Sequence, residues 1–241
     1  MNHGSERLAA EAPNRLGLPP NITACLFDLD GVITHTAEQH ARAWKETFES
    51  ALHVPFDAVR DYDEYVDGKP REEGVRSFLE ARAIAPDPAL VQRIAEQKDQ
   101  LFLQLIEKEG VQTYPGTIRY MQEARATGHE LAVVSSSRHT TEVLQAANLD
   151  SAFDAQVDGI VAEREHLQGK PAPDTYLRAA GMLHTPPIDA AVYEDALAGV
   201  QAGRAGGFGR VIGIDRAHQK EALRRHGADL VVDDLAELLD R

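Results

Sequence analysis

Apolar residues fall in two patterns along this chain. From Tyr114 onward, short continuous apolar runs alternate with segments whose apolar positions recur every three or four residues. The runs ACLF (24–27), LAVV (131–134), Phe153–Val157, AAVY (190–193), RVIGI (210–214) and DLVVD (229–233) have the length and continuity of strands buried on both faces. Between them, helices are predicted from Pro115 through Met121 and Ala124 to a stop at Gly128, over Thr140–Ala147, Asp174–Ala180 and Ala196–Ala205, and in a short segment before the last run. Strand and helix in alternation predict a parallel sheet covered by helices on both sides, an α/β fold.

One stretch breaks the alternation. From Thr36, read as an N-cap, Ala37, His40, Ala41, Trp44 and Phe48 repeat at helical spacing, as do Phe78–Ala83 and Val91–Ile106 with Ile94, Leu101 and Leu105. No alternating strand pattern occurs before Gly110. The prediction is an all-helical cap, 35–110, inserted after the first strand of a core made of 21–34 and 111–241. The opening residues 1–20, closed by Pro19 and Pro20, read as a flexible lead.

Composition narrows the partners. A net charge of −14 without clusters of Lys and Arg argues against nucleic acid, although local cations can still serve a phosphorylated substrate. Cys25 is the single cysteine, so there is no internal disulfide and no cysteine cluster for zinc. No run approaches the length of a membrane span, and the first 20 residues lack the apolar core of a signal peptide, so a cytoplasmic protein is expected.

The predicted strands share one property: each of the informative ones ends in chemistry. Asp28 and Asp30 follow the first, Ser135 follows LAVV, Glu194 and Asp195 follow AAVY, and Lys170 lies in the loop KPAP between them. Singly these are turn residues, a loop cation and a helix start favoured by the dipole. Jointly, at the carboxyl edge of a parallel sheet, they are the groups that phosphoryl transfer through an aspartyl phosphate requires. Asp28 would be the nucleophile. Asp30 would give a proton to the leaving oxygen and afterwards take one from the incoming nucleophile. Asp28, the Asp30 carbonyl, Asp195 and nearby Glu194 offer hard oxygens to Mg²⁺. Ser135 and the amides of Ser136 and Ser137 at a helix start would hold phosphate oxygens, and Lys170 would offset their charge.

DLDGV (28–32), VVSSS (133–137), GKPAPD (169–174) and YEDALAG (193–199) resemble the motifs of the haloacid dehalogenase superfamily. Within it, FDLDGVIT followed by TAEQHARAWK looks like the β-phosphoglucomutase-like subfamily, in which a helical cap closes over a Rossmann-like core. The resemblance covers nearly everything from Ile22 onward. It implies Mg²⁺, an Asp28 phosphoenzyme, Asp30 as acid and base, and a small phosphorylated sugar as substrate. Thr36 and His40 match residues that help Asp30 change position, Lys98 matches a cap lysine that contacts His40, and YVDGKPREEGV (65–75) is similar to the cap's specificity loop, with Gly68 and Arg71 at its matching positions. Arg71 suits a second phosphate. His35 stands where relatives often carry Asp, and Asp67 where the mutase loop carries a lysine, with Lys69 two residues on.

Three functions fit. The resemblance implies an isomerase moving phosphate between C1 and C6 of β-glucose through a bisphosphate, which requires Arg71 at one end of the sugar and Ser135 with Lys170 at the other. A hydrolase of a small sugar phosphate would have an identical core. A phosphoacceptor switch, resembling a receiver domain, shares the acids, hydroxyl and lysine but not the inserted cap.

Overall fold

The computed structural model describes residues 16–239. Six parallel strands form one sheet in the order β3-β2-β1-β4-β5-β6: β1 (Ala24–Phe27), β2 (Glu130–Val134), β3 (Ala155–Val157), β4 (Ala190–Glu194), β5 (Arg210–Ile214) and β6 (Leu230–Val232). Strand order reverses beside β1, which is hydrogen-bonded to β2 on one side and β4 on the other. The crevice beyond the carboxyl ends of β1 and β4 is therefore the switch point where ligands bind in such sheets. The fold is the expected α/β Rossmann-like core with an inserted helical cap.

Alternate side chains of each strand enter separate cores. Cys25 and Phe27 belong to one face with Tyr120, Val133 and Tyr193, while Ala24 and Leu26 belong to the other with Val134, Tyr176 and Val192. The helices that cover the sheet are α4 (Pro115–Ala126), α5 (Thr140–Ala146), α6 (Gly159–Arg164), α7 (Asp174–Met182), α8 (Leu197–Ala205) and α9 (Lys220–His226). The cap helices α1 (Thr36–Leu52), α2 (Arg71–Ala81) and α3 (Pro88–Glu109) enclose a third cluster of their own, in which Phe48 stacks on Trp44 and Phe56 and packs at a tilt against Phe78.

Several expectations shift. The helices predicted at Phe78–Ala83 and Val91–Ile106 begin earlier, at Arg71 and at Pro88, the latter capped by the Asp87 carboxylate. The sequence pattern missed α6 and the π-helical turn Tyr62–Val66, both too short to show a periodic stripe. Thr36 is not an N-cap. It is the first residue of α1, His35 occupies the cap position, and the Thr36 hydroxyl donates to Asp30 instead of accepting from the helix.

Of the expected flexible lead, residues 1–15 lie outside the described residues, and residues 16–20 are not loose. Leu16 and Leu18 are buried in the main core, and the Leu16 carbonyl accepts from the Tyr120 hydroxyl at 2.9 Å. Two leucines set among Gly17, Pro19 and Pro20 carry too little pattern to announce this in the sequence. Leu16→Ala should cost about 2–5 kcal/mol, measured by urea denaturation; a change within about 0.5 kcal/mol, normal for an exposed site, would show that the segment does not pack.

Candidate active site

Strand β1 ends at Phe27, and Asp28 continues its direction, its amide still bonded to the Tyr193 carbonyl of β4. The chain then turns sharply at Gly31, which has φ +85° and whose amide returns to the Thr34 carbonyl. Glycine is required there twice over. The backbone is left-handed, and a Cβ would lie 1.8 Å from Asp195 Oδ2.

Lys170 is the organising cation. Its ammonium, buried, bonds Asp28 and Glu194, the latter at 2.6 Å, and lies 3.3 Å from the Val134 carbonyl. It thus ties together the ends of β1, β2 and β4. Burial alone would lower its pKa, but Asp28 and Glu194 outweigh burial and raise it. Glu194 Oε1 also accepts from the Tyr176 hydroxyl at 2.8 Å, and its Oε2 from the Ala196 amide at 3.2 Å. Glu194 is therefore held under the site by protein donors, while Asp28, Asp30 and Asp195 line the pocket.

Burial pushes Asp28 well above the usual carboxylate range; Lys170 opposes this, and Glu194 and Asp30 add to it. Asp195 is raised by burial and by Asp67, Asp28 and Glu194, with Arg216 acting against them. Ligand oxygens of Asp28, Glu194 and Asp195 lie within 4.8 Å of one another. An all-oxygen, buried set whose negative charge exceeds its nearby cations is chemically suited to a hard divalent ion.

Asp30 differs from Asp28. Burial would raise its pKa, but His40 and the Thr36 hydroxyl, with Lys98 beyond, bring it below the usual value. His40 Nε2 lies 3.4 Å from Asp30, and His40 Nδ1 is 2.5 Å from Lys98 Nζ. His40 stacks on Phe102 at 3.8 Å between ring centroids, and the Lys98 ammonium sits over the Phe102 and Trp44 rings. Burial, with the nearby Arg71 charge, lowers Lys98 to about 7. Residues from α1 and α3 thus form a chain, Lys98 to His40 to Asp30, leading from the cap into the core.

Ser135 is buried at the end of β2, and its Oγ accepts from the Ser137 amide at 3.0 Å. Ser136 and Ser137 line the pocket, but not at a helix start: α5 begins three residues later, at Thr140. The Ser136 hydroxyl donates to the Gly68 carbonyl at 2.8 Å, a direct contact between core and cap loop. Gly68 has φ +67°, and a Cβ there would stand 3.3 Å from the Ala196 Cβ, so two small residues meet where the loop rests on the core. Asp67 beside it closes the π-helical turn through its amide and accepts from the Tyr62 hydroxyl. Burial, helped by Glu194, raises its carboxyl to about 7. Lys69 does not neutralise it directly: its amino group donates to the Glu64 carbonyl and to Ser77 within the cap.

Elsewhere in the pocket lining, Arg71 pairs with Asp99 at 2.9 Å, and Asp99 also takes His139 Nε2 at 2.8 Å. Arg138 lines the same pocket and pairs with Glu163. Asp99, Arg138 and His139 were missed in the sequence, although Asp99 adjoins Lys98 and the other two directly follow the VVSSS motif. The pocket is thus acidic at Asp28, Asp30, Asp67 and Asp195, and cationic at Arg71, Lys98 and Arg138.

The pattern of the haloacid dehalogenase-like hydrolases matches residues 22–207. The chain belongs to that family. It is 48% identical to a β-phosphoglucomutase of Mycobacterium bovis over 93% of this chain and 94% of that protein. It is 35% identical to a β-phosphoglucomutase of Bacillus subtilis, covering 90% and 92%. The crystal structure of a Clostridium difficile β-phosphoglucomutase superposes with a TM-score of 0.78 at 26% identity, covering 90% of this chain and 93% of that one. No helix among the described residues is long and apolar enough to cross a membrane.

Gly31→Ala should displace Asp195 and lower turnover about 10²-fold or more, with circular dichroism unchanged; near-normal turnover would mean the turn tolerates the Cβ. The Asp99 contact raises the pKa of His139. A raised folded value contributes stability that is full below the ordinary imidazole pKa and is lost as pH rises through the folded one. His139→Gln should therefore destabilise the protein at about pH 5.5 more than at about pH 9, measured by urea denaturation at both; an equal loss would exclude the charged pair.

Proposed function

We propose that this protein is a cytoplasmic phosphomutase that interconverts β-glucose 1-phosphate and glucose 6-phosphate through an Asp28 phosphoenzyme. The observation that carries the reading is the two-ended pocket. Asp28 and Asp30 of the core line it together with the Arg71 guanidinium of the cap, which in this reading takes the two ends of the substrate. A hydrolase needs the first end alone. Similarity to β-phosphoglucomutases over nearly the whole chain supports the same choice.

Lys170 opposes the effect of burial on Asp28 and holds it aimed, so that in its ionised form a carboxylate oxygen attacks phosphorus as the bond from phosphorus to the sugar oxygen breaks. Asp30 handles the proton. Its lowered pKa leaves it ionised in the resting site, which suits the half-reaction in which a sugar hydroxyl attacks phospho-Asp28: the hydroxyl proton passes to Asp30 as the new oxygen–phosphorus bond forms. In the other half-reaction the protonated Asp30 returns that proton to the departing sugar oxygen. Thr36, His40 and Lys98 hold Asp30 in place for both. The Ser135 hydroxyl, with Ser136 and Ser137, receives the oxygens of the transferred phosphate, and Arg71 takes the other phosphate with its planar fork of donors. Asp28, the Asp30 carbonyl and Asp195, backed by Glu194, would hold Mg²⁺, which when bound offsets the phosphoryl charge.

In this reading residues 35–110 move as a cap against a core of 21–34 and 111–241, and the Gly68 contact with Ser136 and Ala196 forms on closure. Closure excludes water while the bisphosphate turns round.

The test assays glucose 6-phosphate and free phosphate together, from β-glucose 1-phosphate with Mg²⁺ and a trace of the bisphosphate. Dominant glucose 6-phosphate, lost in Asp28→Asn, is the expected result, and Arg71→Ala should raise KM about tenfold or more, the scale of a lost charge-assisted contact. Dominant free phosphate would reassign the protein to sugar-phosphate hydrolysis, and activity surviving in Asp28→Asn would overturn the mechanism.

A further inference from the structure

Two chain crossings join the helical cap to the sheet, one just after Gly31 and one just before Pro115, and they pair as a short antiparallel ribbon. Thr34 bridges Thr113, the His35 amide donates to the Gln112 carbonyl, and the Tyr114 amide donates to the Ile33 carbonyl, both at 2.9 Å. Any rotation of the cap has to pass through this ribbon. The same ribbon carries the groups that orient Asp30. The Thr36 hydroxyl donates to the Asp30 carboxylate, and the Thr34 hydroxyl, 2.6 Å from that of Thr36 and 3.2 Å from the Leu29 carbonyl, has both as acceptors for its proton.

The ribbon is fastened from outside by an arginine whose charge also acts on Asp195. Arg216, just beyond β5, lays its guanidinium over the Tyr114 ring, with Cζ 3.6 Å from the centroid. His35 stacks on that ring at 3.7 Å. Two groups that close to one centroid must lie on opposite faces, so Tyr114 of one crossing is sandwiched between His35 of the other and Arg216 of the core. The guanidinium also donates through Nε to the Gly31 carbonyl and through one terminal nitrogen to the Asp233 carbonyl, each at 2.8 Å. Its remaining nitrogen, Nη2, is buried without a hydrogen-bond partner among the described residues. Leaving a buried donor unsatisfied is costly. Anchoring a ribbon mechanically does not need that cost; lysine or a neutral side chain would do. A planar group that must stack and bond in its own plane at once needs arginine.

We propose that Arg216 is a positioning residue for proton transfer: by clamping the Gly31 turn and the Tyr114–His35 stack to the core, it sets the pivot of the cap so that Asp30 meets the sugar oxygen when the pocket closes. Arg216 is not among the residues that line the pocket. It acts through the backbone carbonyl next to Asp30 and through the ribbon that bears Thr34 and Thr36. The inference rests on the reading of Asp30 as the proton carrier.

Leaving-group chemistry tests it. When the bond from phosphorus to a sugar oxygen breaks, the departing alkoxide needs the Asp30 proton; a 4-nitrophenolate leaves without one. We compare kcat/KM for β-glucose 1-phosphate and for 4-nitrophenyl phosphate in the wild type, Arg216→Met, Arg216→Lys and Asp30→Asn. Arg216→Met should lose about tenfold or more on the sugar phosphate and less than about twofold on the aryl phosphate, the scale of a misplaced general acid. Arg216→Lys should show the same split, since it keeps the charge but not the plane. Equal losses on both substrates, or none, would overturn the proposal. Should Arg216→Met fail to fold by circular dichroism, Tyr114→Leu removes the stack while leaving the Gly31 bond and is expected to give the same split; without it the proposal falls. Asp30→Asn separates the two ideas. If it shows no split, the reading of Asp30 is wrong; if it does and the Arg216 and Tyr114 variants do not, only the role of Arg216 is.

Discussion

The buried ammonium of Lys170 is the interaction on which the rest depends. Asp28 and Glu194 stand at the ends of adjacent strands, β1 and β4, and would repel one another without it. Breaking such a buried set by removing one partner is costly, of order 3–5 kcal/mol. The lysine also reaches the Val134 carbonyl at the end of β2, so three strand ends are held by one side chain. A sheet edge that would otherwise be an unstable collection of acids becomes a fixed frame for Asp28. Tyr176 contributes from the face below, where its hydroxyl occupies Glu194 and keeps that carboxylate aligned with the cation.

Asp30 answers to different neighbours. Lys170 governs the core acids, whereas the groups around Asp30 come from the cap and from the ribbon that carries it. One consequence is a division of labour between two acids only two residues apart. Asp28 is tied to the sheet through its amide and Lys170. Asp30 is tied to the first cap helix through Thr36 and His40. The sandwich of Arg216, Tyr114 and His35 lies where these two regimes meet, one side bonded to the turn after Asp30 and the other to the β6 end of the sheet.

Much of the site could be read from the sequence because each core group follows a strand, and a parallel sheet gathers strand ends at one edge whatever the details of packing. Asp28, Ser135, Glu194 and Asp195 follow that rule, and the cap announced itself by the loss of alternation between Thr36 and Gly110. Asp99, His139 and Arg138 were harder: helical or loop polar residues in a face rich in charge carry no local mark, and they matter only because α3 and the loop after β2 converge. The amides of Ser136 and Ser137 precede the start of α5 at Thr140 for a related reason. Ser135 and Ser137 bond to their own backbone, and such local bonds compete with the first helical turn.

By itself the sequence determined the elements, their parallel arrangement and the residues placed at the sheet edge, since these follow from periodicity and from the fixed geometry of strands. Tertiary structure alone decided how charge is shared among them: that Glu194 is fastened beneath the pocket, that Asp30 titrates low while Asp28 is driven high, that Leu16 and Leu18 belong to the core, and that Arg216 reaches back to the turn at Gly31. The reason is range. Local pattern records which face of an element is buried, but the energy of a buried charge depends on every group within a few ångströms, and here those groups lie up to 185 positions apart in the chain.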